Sequence, residues 1–289
     1  MKILITGADG MLGESLVTIL RQKKHTLFAF SHKKETNLLT PLEITDHEQV
    51  RKVITSLKPD IIIHLAALTN VDYCEEHPEE AYKVNYGATK NIASICSKEN
   101  IRLYFISTGA VFSGEKKKSY VEDDICKPIN VYGKTKLNAE IEVRKLPHYC
   151  IVRTGWLIGG GKKDKKFVSL ILSQLKKKVP LLRAVSDVRG SPTLTFDLAK
   201  TITKLIQKKA GGTIHVVNEG ISSRLDITRE LLKIVKSDTK LEGVPLGYFK
   251  EKALRPRMEA LDASKLKSKY NLLLPSWQAS LRTYIKSLS

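Results

Sequence analysis

The sequence predicts an α/β protein: a doubly wound parallel sheet with a smaller C-terminal lobe. Three observations predict it. An apolar strand at the start of the chain runs into a glycine turn and then an amphipathic helix. From there strands and helices alternate with a period near thirty residues, as parallel strands joined by helical crossovers do. At Gly159 the alternation breaks, and helices, glycines and prolines follow in irregular order.

Taken in order, Lys2 to Thr6 reads as a buried strand, and Leu12, Leu16 and Leu20 form the apolar face of the helix after it. Between them, Gly7, Gly10 and Gly13 let the backbone pass close to a pyrophosphate at the helix N-terminus, as in a Rossmann-type turn. The spacing is G-x-x-G-x-x-G rather than G-x-G-x-x-G. Such turns also occur without a nucleotide, but here the turn sits between strand and helix, the context that dinucleotide binding requires. Gly7, Asp9, Gly10, Met11, Leu12 and Gly13 are candidate cofactor contacts.

The second strand is Thr26 to Phe30, ending in Ser31-His32-Lys33-Lys34. An acidic residue there would select NAD through the ribose 2′-hydroxyl. Donors and positive charge favour a 2′-phosphate instead, so NADP(H) is preferred over NAD(H), with Glu35 keeping NAD open. Lys33 and Lys34 also fit plain loop lysines. Leu42 to Asp46 predicts a short strand and a helix cap, with Glu43 and Ile44 near the adenine. Asp60 to Leu65 is too apolar for an exposed strand and ends in Ala66-Ala67-Leu68-Thr69-Asn70-Val71-Asp72. Those small residues leave room for a ligand at the sheet crevice. His64, inside the apolar run, reads as a core histidine.

A helix carrying Tyr82, Val84, Asn85 and Ala88 runs to about Glu99. Leu103 to Ile106 is a core strand ending in Ser107-Thr108-Gly109-Ala110, where a hydroxyl could hold a carbonyl oxygen or simply end a strand. Pro128 and Asn130 open the helix of Tyr132-Gly133-Lys134-Thr135-Lys136. Tyrosine and lysine four apart share a helix face, and an ammonium beside a phenol favours the phenolate and prepares it for proton transfer. Alone, that spacing is an ordinary amphipathic helix. Tyr149 to Arg153 is a further strand, followed by Trp156.

The expected division is 1–158 with 188–217 as the dinucleotide-binding part, and 159–187 with 218–289 as a lobe capping the crevice. Within it, Gly159-Gly160-Gly161 and the lysines beyond read as a solvated tip or as a lid over an anionic substrate. Helices are expected at Phe167 to Lys177, Asp197 to Lys208 and Asp226 to Val235, and a strand at Thr213 to Val217 returns to the sheet.

Composition bounds the class. The chain has 289 residues, 42% hydrophobic and 27% charged, as in a globular protein with a real core. The apolar run Met1 to Ile5 is too short for a signal peptide or a membrane span, so the expected location is cytoplasmic. Cys74, Cys96, Cys126 and Cys150 lack metal-site spacing and read as reduced thiols; no metal is expected. The net charge of +19 gathers at Lys116 to Lys118, Lys162 to Lys166 and Lys176 to Lys178. Without a nucleic-acid motif it reads as a solvated surface that attracts anionic ligands, not as a nucleic-acid or membrane binder.

Together these residues resemble the extended short-chain dehydrogenase/reductase superfamily, and within it the dTDP-4-dehydrorhamnose reductases. The resemblance runs the whole length. Its most specific pieces are the Thr6 to Gly13 turn, Ala66-Ala67-x-Thr69-x-Val71-Asp72-x-Cys74-Glu75, Ser107-Thr108-x-x-Val111-Phe112, Tyr132-x-x-x-Lys136, Gly190-x-Pro192-Thr193, Arg255-Pro256, Leu261-Asp262 and Leu274-Pro275-x-Trp277-Gln278.

The resemblance implies reduction of the 4-keto group of a nucleotide-linked 6-deoxysugar. Thr108 would hold the carbonyl, Tyr132 would give the proton, and Lys136 would hold the nicotinamide ribose and tune Tyr132. Ser31, Lys33, Glu43, Ile44, Ala66, Ala67 and Thr69 would line the rest of the cofactor. Val71, Asp72, Ser107, Trp156 and Arg255 would face the sugar, with core packing the other reading for Trp156. A homodimer is admitted.

The chain departs from the family in two places: Gly109-Ala110 stands where Asp-Tyr is usual, and Val188 where Gln is usual. The first removes hydrogen-bonding side chains that face the sugar, so the sugar is expected to differ from 4-dehydrorhamnose. Two alternatives stay open. A 4-epimerase would use the same tyrosine, lysine and hydroxyl with no net oxidation of cofactor. A non-catalytic NADP binder would resemble the regulatory subunit of methionine adenosyltransferase.

Overall fold

Ile3 and Ile5 of the first strand face one layer of helices and Leu4 the other, and all three are fully buried. That alternation in a strand apolar throughout is what a sheet covered on both faces demands. The structure, a computed structural model, describes residues 1–32, 35–161 and 166–288.

The first half runs β1 (Lys2–Thr6), α1 (Met11–Arg21), β2 (Thr26–Ser31), β3 (Thr40–Pro41), α2 (His47–Leu57), β4 (Ile61–His64), α3 (Val71–Glu76), α4 (Pro78–Ala81), α5 (Ala88–Lys98), β5 (Arg102–Thr108), α6 (Val131–Val143), β6 (Tyr149–Thr154) and β7 (Trp156–Ile158). Then come α7 (Phe167–Lys176), β8 (Leu181–Val185), β9 (Pro192–Leu194), α8 (Thr195–Gln207), β10 (Gly212–His215), α9 (Arg224–Val235), β11 (Lys240–Val244), α10 (Ser264–Tyr270) and α11 (Trp277–Lys286).

Seven parallel strands pair in the order β10-β6-β5-β4-β1-β2-β3. The order reverses between β1 and β4, and at such a switch point the connections diverge and leave a crevice at the carboxyl ends of the strands. Apolar side chains of α1 and α8 cover one face, and those of α2, α5 and α6 the other. A third core joins Ile171 of α7, Ile227 and Leu231 of α9, and Trp277 and Leu281 of α11. β8 pairs with β11 and β7 with β9, both away from the large sheet.

Some expectations shift. The strand foreseen at Leu42 to Asp46 is instead Thr40–Pro41, because Glu43 turns the chain by accepting from Thr45 N and Oγ1 at 2.9 and 2.8 Å. Asp46 caps α2 as foreseen, accepting from Gln49 N. The helix expected through Asn85 opens with a π-helical turn, Tyr82–Gly87. The Gly159 run is not a solvated tip: a Cβ on Gly160 would lie 2.7 Å from Met11 Cγ, so the run is seated on the first turn of α1. Lys162 to Lys165, the rest of the expected lid, lie outside the described residues. In the tail, Leu266, Tyr270, Leu272 and Leu274 are buried in the α1–α8 layer of the large sheet rather than in the small core.

Candidate active site

The crevice at the carboxyl ends of β1, β4 and β5 gathers most of the residues singled out in the sequence. Gly7 has φ +67, and a Cβ there would meet Ala66 N at 2.7 Å, so only glycine lets the turn after β1 lie against the end of β4. Gly10 caps α1 without a side-chain hydrogen bond. The first N–H groups of the helix therefore keep their capacity for a phosphate; Asp9 lies in the same turn, and Met11, Leu12 and Gly13 form the first turn of α1.

The end of β2 differs from what the sequence suggested. His32 Nε2 lies 2.7 Å from Glu43 Oε2, so that donor is taken by a carboxylate. Burial works to raise the Glu43 carboxyl, but hydrogen bonds from Thr45 and from His32 outweigh it and hold it below its usual value. Ser31 is buried at the strand end, and Ile44 sits in the turn beyond it. Lys33, expected at a 2′-phosphate, lies outside the described residues.

Beyond β4, Asn85 ties the Ala66, Ala67 and Thr69 loop to α6. Its Oδ1 accepts from Leu68 N at 2.8 Å, and its Nδ2 donates to Leu68 O at 3.0 Å and to Thr135 Oγ1 at 3.1 Å. The π turn supplies the extra residue that aims Asn85 inward, a common use of such turns at functional sites. Nothing in the sequence signals that insertion. Thr69 is exposed and accepts from Lys166 Nζ of the small lobe at 3.3 Å. His64 is a core histidine as expected, held between Thr6 Oγ1 and Thr89 Oγ1, and burial lowers it to about 3.

Asn130 starts α6 by accepting from Gly133 N at 2.8 Å, and Glu75 takes the free Val131 N–H at 3.0 Å. A Cβ on Gly133 would collide with Ala110 O, so the helix presses directly on the turn after β5. That approach sets the Tyr132 phenol close enough to the Thr108 side chain for Thr108 to favour the phenolate, and Thr108 Oγ1 itself accepts from Ala110 N at 3.1 Å. Ser107 is buried, and among the described residues its Oγ has no partner.

The expected tuning of Tyr132 by Lys136 is not the main influence on the phenol in the structure. Burial is the largest influence on the phenol and pushes it up, only partly offset by Thr108. Burial also brings the Lys136 amine down to about 7, against a smaller raising influence of Glu140. Its Nζ lies 4.0 Å from the centroid of the Phe105 ring. Among the described residues this amine has no hydrogen-bonding acceptor. A pair of ribose hydroxyls would supply what it lacks, so the site fits a dinucleotide at both of its ends.

Asp72 and Arg255, both expected to face the sugar, are brought together: Arg255 Nη2 donates to Asp72 Oδ2 at 2.8 Å. Asp72 Oδ1 also accepts from Lys252 N and Ala253 N, which fixes the 252–255 loop over α3, beside the half-buried Val71. Trp156 is half-buried, with Nε1 donating to Glu259 and the Arg224 guanidinium 4.0 Å from its ring centroid. The packing reading of Trp156 is seen directly, since its ring also packs on Val188 and the small core. Glu259 and Arg224 escaped the sequence reading because neither lies in a motif.

The sequence profile described as "RmlD substrate binding domain" matches residues 1–289. The chain belongs to this family. The family's curated relatives include a dTDP-4-keto-6-deoxy-D-glucose reductase from Streptomyces niveus, 35% identical and covering 89% of this chain and 87% of that protein. A spore coat polysaccharide biosynthesis protein from Bacillus subtilis is 31% identical, covering 100% and 98%. Among solved structures, a dTDP-4-dehydrorhamnose reductase from Clostridium acetobutylicum superposes with a TM-score of 0.91 at 35% identity, covering 100% of this chain and 99% of that one. One from Bacillus anthracis, in complex with NADP, gives 0.91 at 32% identity with 99% coverage of both chains.

The four cysteines are free, and three of them are buried. Among the described residues no group of three or more His, Cys, Asp or Glu is placed to hold a metal, and no helix is long and apolar enough to cross a membrane.

Proposed function

We propose that this chain reduces the 4-keto group of a nucleotide-linked 6-deoxysugar with NADPH, in the synthesis of a polysaccharide sugar. The observation that carries the reading is the Tyr132 phenol against Thr108, one helical turn from a desolvated Lys136, beside the glycine cradle. The names of the Streptomyces and Bacillus relatives support the substrate class and the pathway. The NADP complex of the Bacillus anthracis reductase supports the cofactor, together with the sequence Ser31-His32-Lys33-Lys34 following β2. We also assign the part built on the large sheet to the cofactor and the smaller core to the sugar. A cytoplasmic location, where NADPH is made, and a homodimer complete the reading.

NADPH, when bound, supplies the hydride. The chain supplies the rest. Thr108 holds the carbonyl oxygen in line with the phenol. Tyr132 gives its proton to that oxygen as the carbon is reduced, leaving a phenolate that solvent reprotonates. Because burial holds the phenol above its ordinary value, the resting enzyme carries the proton that reduction consumes. Lys136, given hydroxyl acceptors, regains its charge and lowers the cost of the transient phenolate.

The test is a panel of nucleotide-linked 4-ketosugars followed by the absorbance of reduced nicotinamide. Net consumption of NADPH, with a lower KM than for NADH, is expected; turnover without net oxidation would mark an epimerase instead. Tyr132→Phe should cut kcat by about a hundredfold or more and leave NADPH affinity nearly unchanged. An unaltered kcat would remove the phenol from the chemistry.

A further inference from the structure

The crevice holds an acid that the reaction as described does not use. Glu259 lies in a strap, residues 255–262, pinned on both sides by backbone hydrogen bonds. Glu259 N donates to Arg189 O at 2.7 Å, Arg189 N to Arg257 O at 2.8 Å, and Tyr120 N to Ala260 O at 2.8 Å. Its side chain is not placed as a structural buried acid would be. Glu140 shows the structural form in this same protein, holding Arg153 through both oxygens at 2.9 and 2.8 Å. Glu259 takes one hydrogen bond, from Trp156 Nε1 to Oε2, and among the described residues Oε1 has no partner.

Two cations bear on Glu259 without closing on it. The Arg224 guanidinium carbon lies over the rings of Trp156 and Phe167, 4.0 and 4.9 Å from their centroids, and among the described residues Arg224 makes no ion pair. Arg255 is committed to Asp72 through Nη2, and its Nη1 is buried without a partner. Burial raises the Glu259 carboxyl, and Trp156, Arg224 and Arg255 work against that. The charge of Glu259 in turn bears on the Tyr132 phenol, so this acid lies within electrostatic reach of the reacting hydroxyl.

The strap and the bare turn after Thr108 explain each other. A Cβ on Gly109 would lie 2.8 Å from Glu259 O and 3.5 Å from Leu261 Cδ2. A side chain at 109 and the strap in its present place exclude one another. Where a side chain from the turn cannot enter, the strap brings one from the other side.

We propose that Glu259 is the specificity-determining residue of the sugar site, its Oε1 receiving the ring hydroxyl next to the carbonyl that is reduced. The proposal rests on the reductase reading given above. The partner chemistry follows from the charges. A hydroxyl donates to the carboxylate and brings no charge of its own. An amino sugar would bring an ammonium toward Arg224 and Arg255, and a uronic acid would bring a second carboxylate to Glu259. The fitting substrate is therefore a neutral hexose with a free 3-hydroxyl. A half-buried acceptor matched to that hydroxyl loses its partner when the hydroxyl is missing, and the site so discriminates against the deoxy analogue.

The experiment measures calorimetric affinity of the NADP-loaded protein for a dTDP-linked 6-deoxyhexose and for its 3-deoxy congener. It uses the wild type, Glu259→Gln and Glu259→Ala. The wild type should prefer the hydroxylated ligand by at least about thirtyfold, Glu259→Ala should bind both alike, and Glu259→Gln should fall between. A general loosening of the crevice would weaken both ligands equally and keep their ratio. A ratio unchanged in Glu259→Ala, or no preference in the wild type, overturns the proposal. Binding preference without any NADPH oxidation by the wild type on 4-ketosugars would keep Glu259 in this role and discard the reductase reading.

Discussion

Replacing Lys136 with methionine should make the ligand-free protein more stable while it destroys function. In the unfolded chain this lysine titrates at 10.5, and in the folded chain burial brings it to about 7. At pH 7 the fold must therefore either keep a desolvated ammonium or release its proton, the two forms being about equally populated, at a cost of about 4 kcal/mol. Methionine has nearly the same length and no charge to desolvate. It forfeits the contact of the ammonium with the Phe105 ring, worth about 1 kcal/mol. The expected net gain is about 3 kcal/mol at pH 7.

The pH dependence carries the same signature. A depressed lysine penalises the fold fully below its folded value and not at all above its unfolded one. Wild-type stability should thus climb by about 1–2 kcal/mol between pH 7 and 8.5. The useful window closes near pH 9. Above it Cys74, Cys96 and Cys150, pushed up by burial from 9.0 to about 11, 12 and 12, favour the unfolded chain. His64 and His215, lowered to about 3, contribute their rise below the window. Urea unfolding of the ligand-free protein at pH 7.0 and 8.5, wild type beside Lys136→Met, reads both effects. A variant no more stable than wild type, or a flat wild-type profile across that window, would refute the desolvated amine. The variant should also lose most NADPH affinity and turnover, since the amine is kept at this expense for the ribose.

Other substitutions probe the scaffold around that amine. Gly7→Ala should cost at least about 2 kcal/mol and weaken NADPH binding at least tenfold, because a Cβ at φ +67 meets Ala66 N; an unaffected dissociation constant would count against the cradle. Glu140→Gln leaves the buried Arg153 guanidinium uncompensated and should cost about 3–5 kcal/mol in chemical denaturation, a loss that would be absent if water reaches the pair. Asp72→Ala removes the acceptor of Arg255, Lys252 N and Ala253 N, so it should raise the sugar KM about tenfold with little change in the dissociation constant of NADPH; the reverse split would place Asp72 on the cofactor side.

Much of the fold was legible from local rules. The strand at Lys2 to Thr6 and the glycine turn after it were readable because a buried strand and a backbone that must approach a phosphate each restrict residue type on the spot. Asp46 and Asn130 marked helix starts for the same reason, since a cap is a contact between residues three apart. The Tyr132-Lys136 pair was legible as a shared helix face.

The chemistry of that pair was not legible in its spacing. Spacing suggested an ammonium pulling a phenol down, whereas burial by β5 and by the turn after it moves both groups toward their neutral forms. Desolvation is a property of everything packed around a group, and no four-residue motif contains it. The meeting of Trp156 with Glu259 and Arg224 was out of reach for a related reason. The three lie up to 103 positions apart, and only the folding of the small lobe onto the end of the sheet brings their charges and rings together. Contacts that close within one helical turn leave a mark in the sequence; contacts closed by the meeting of two cores exist only once both cores have formed.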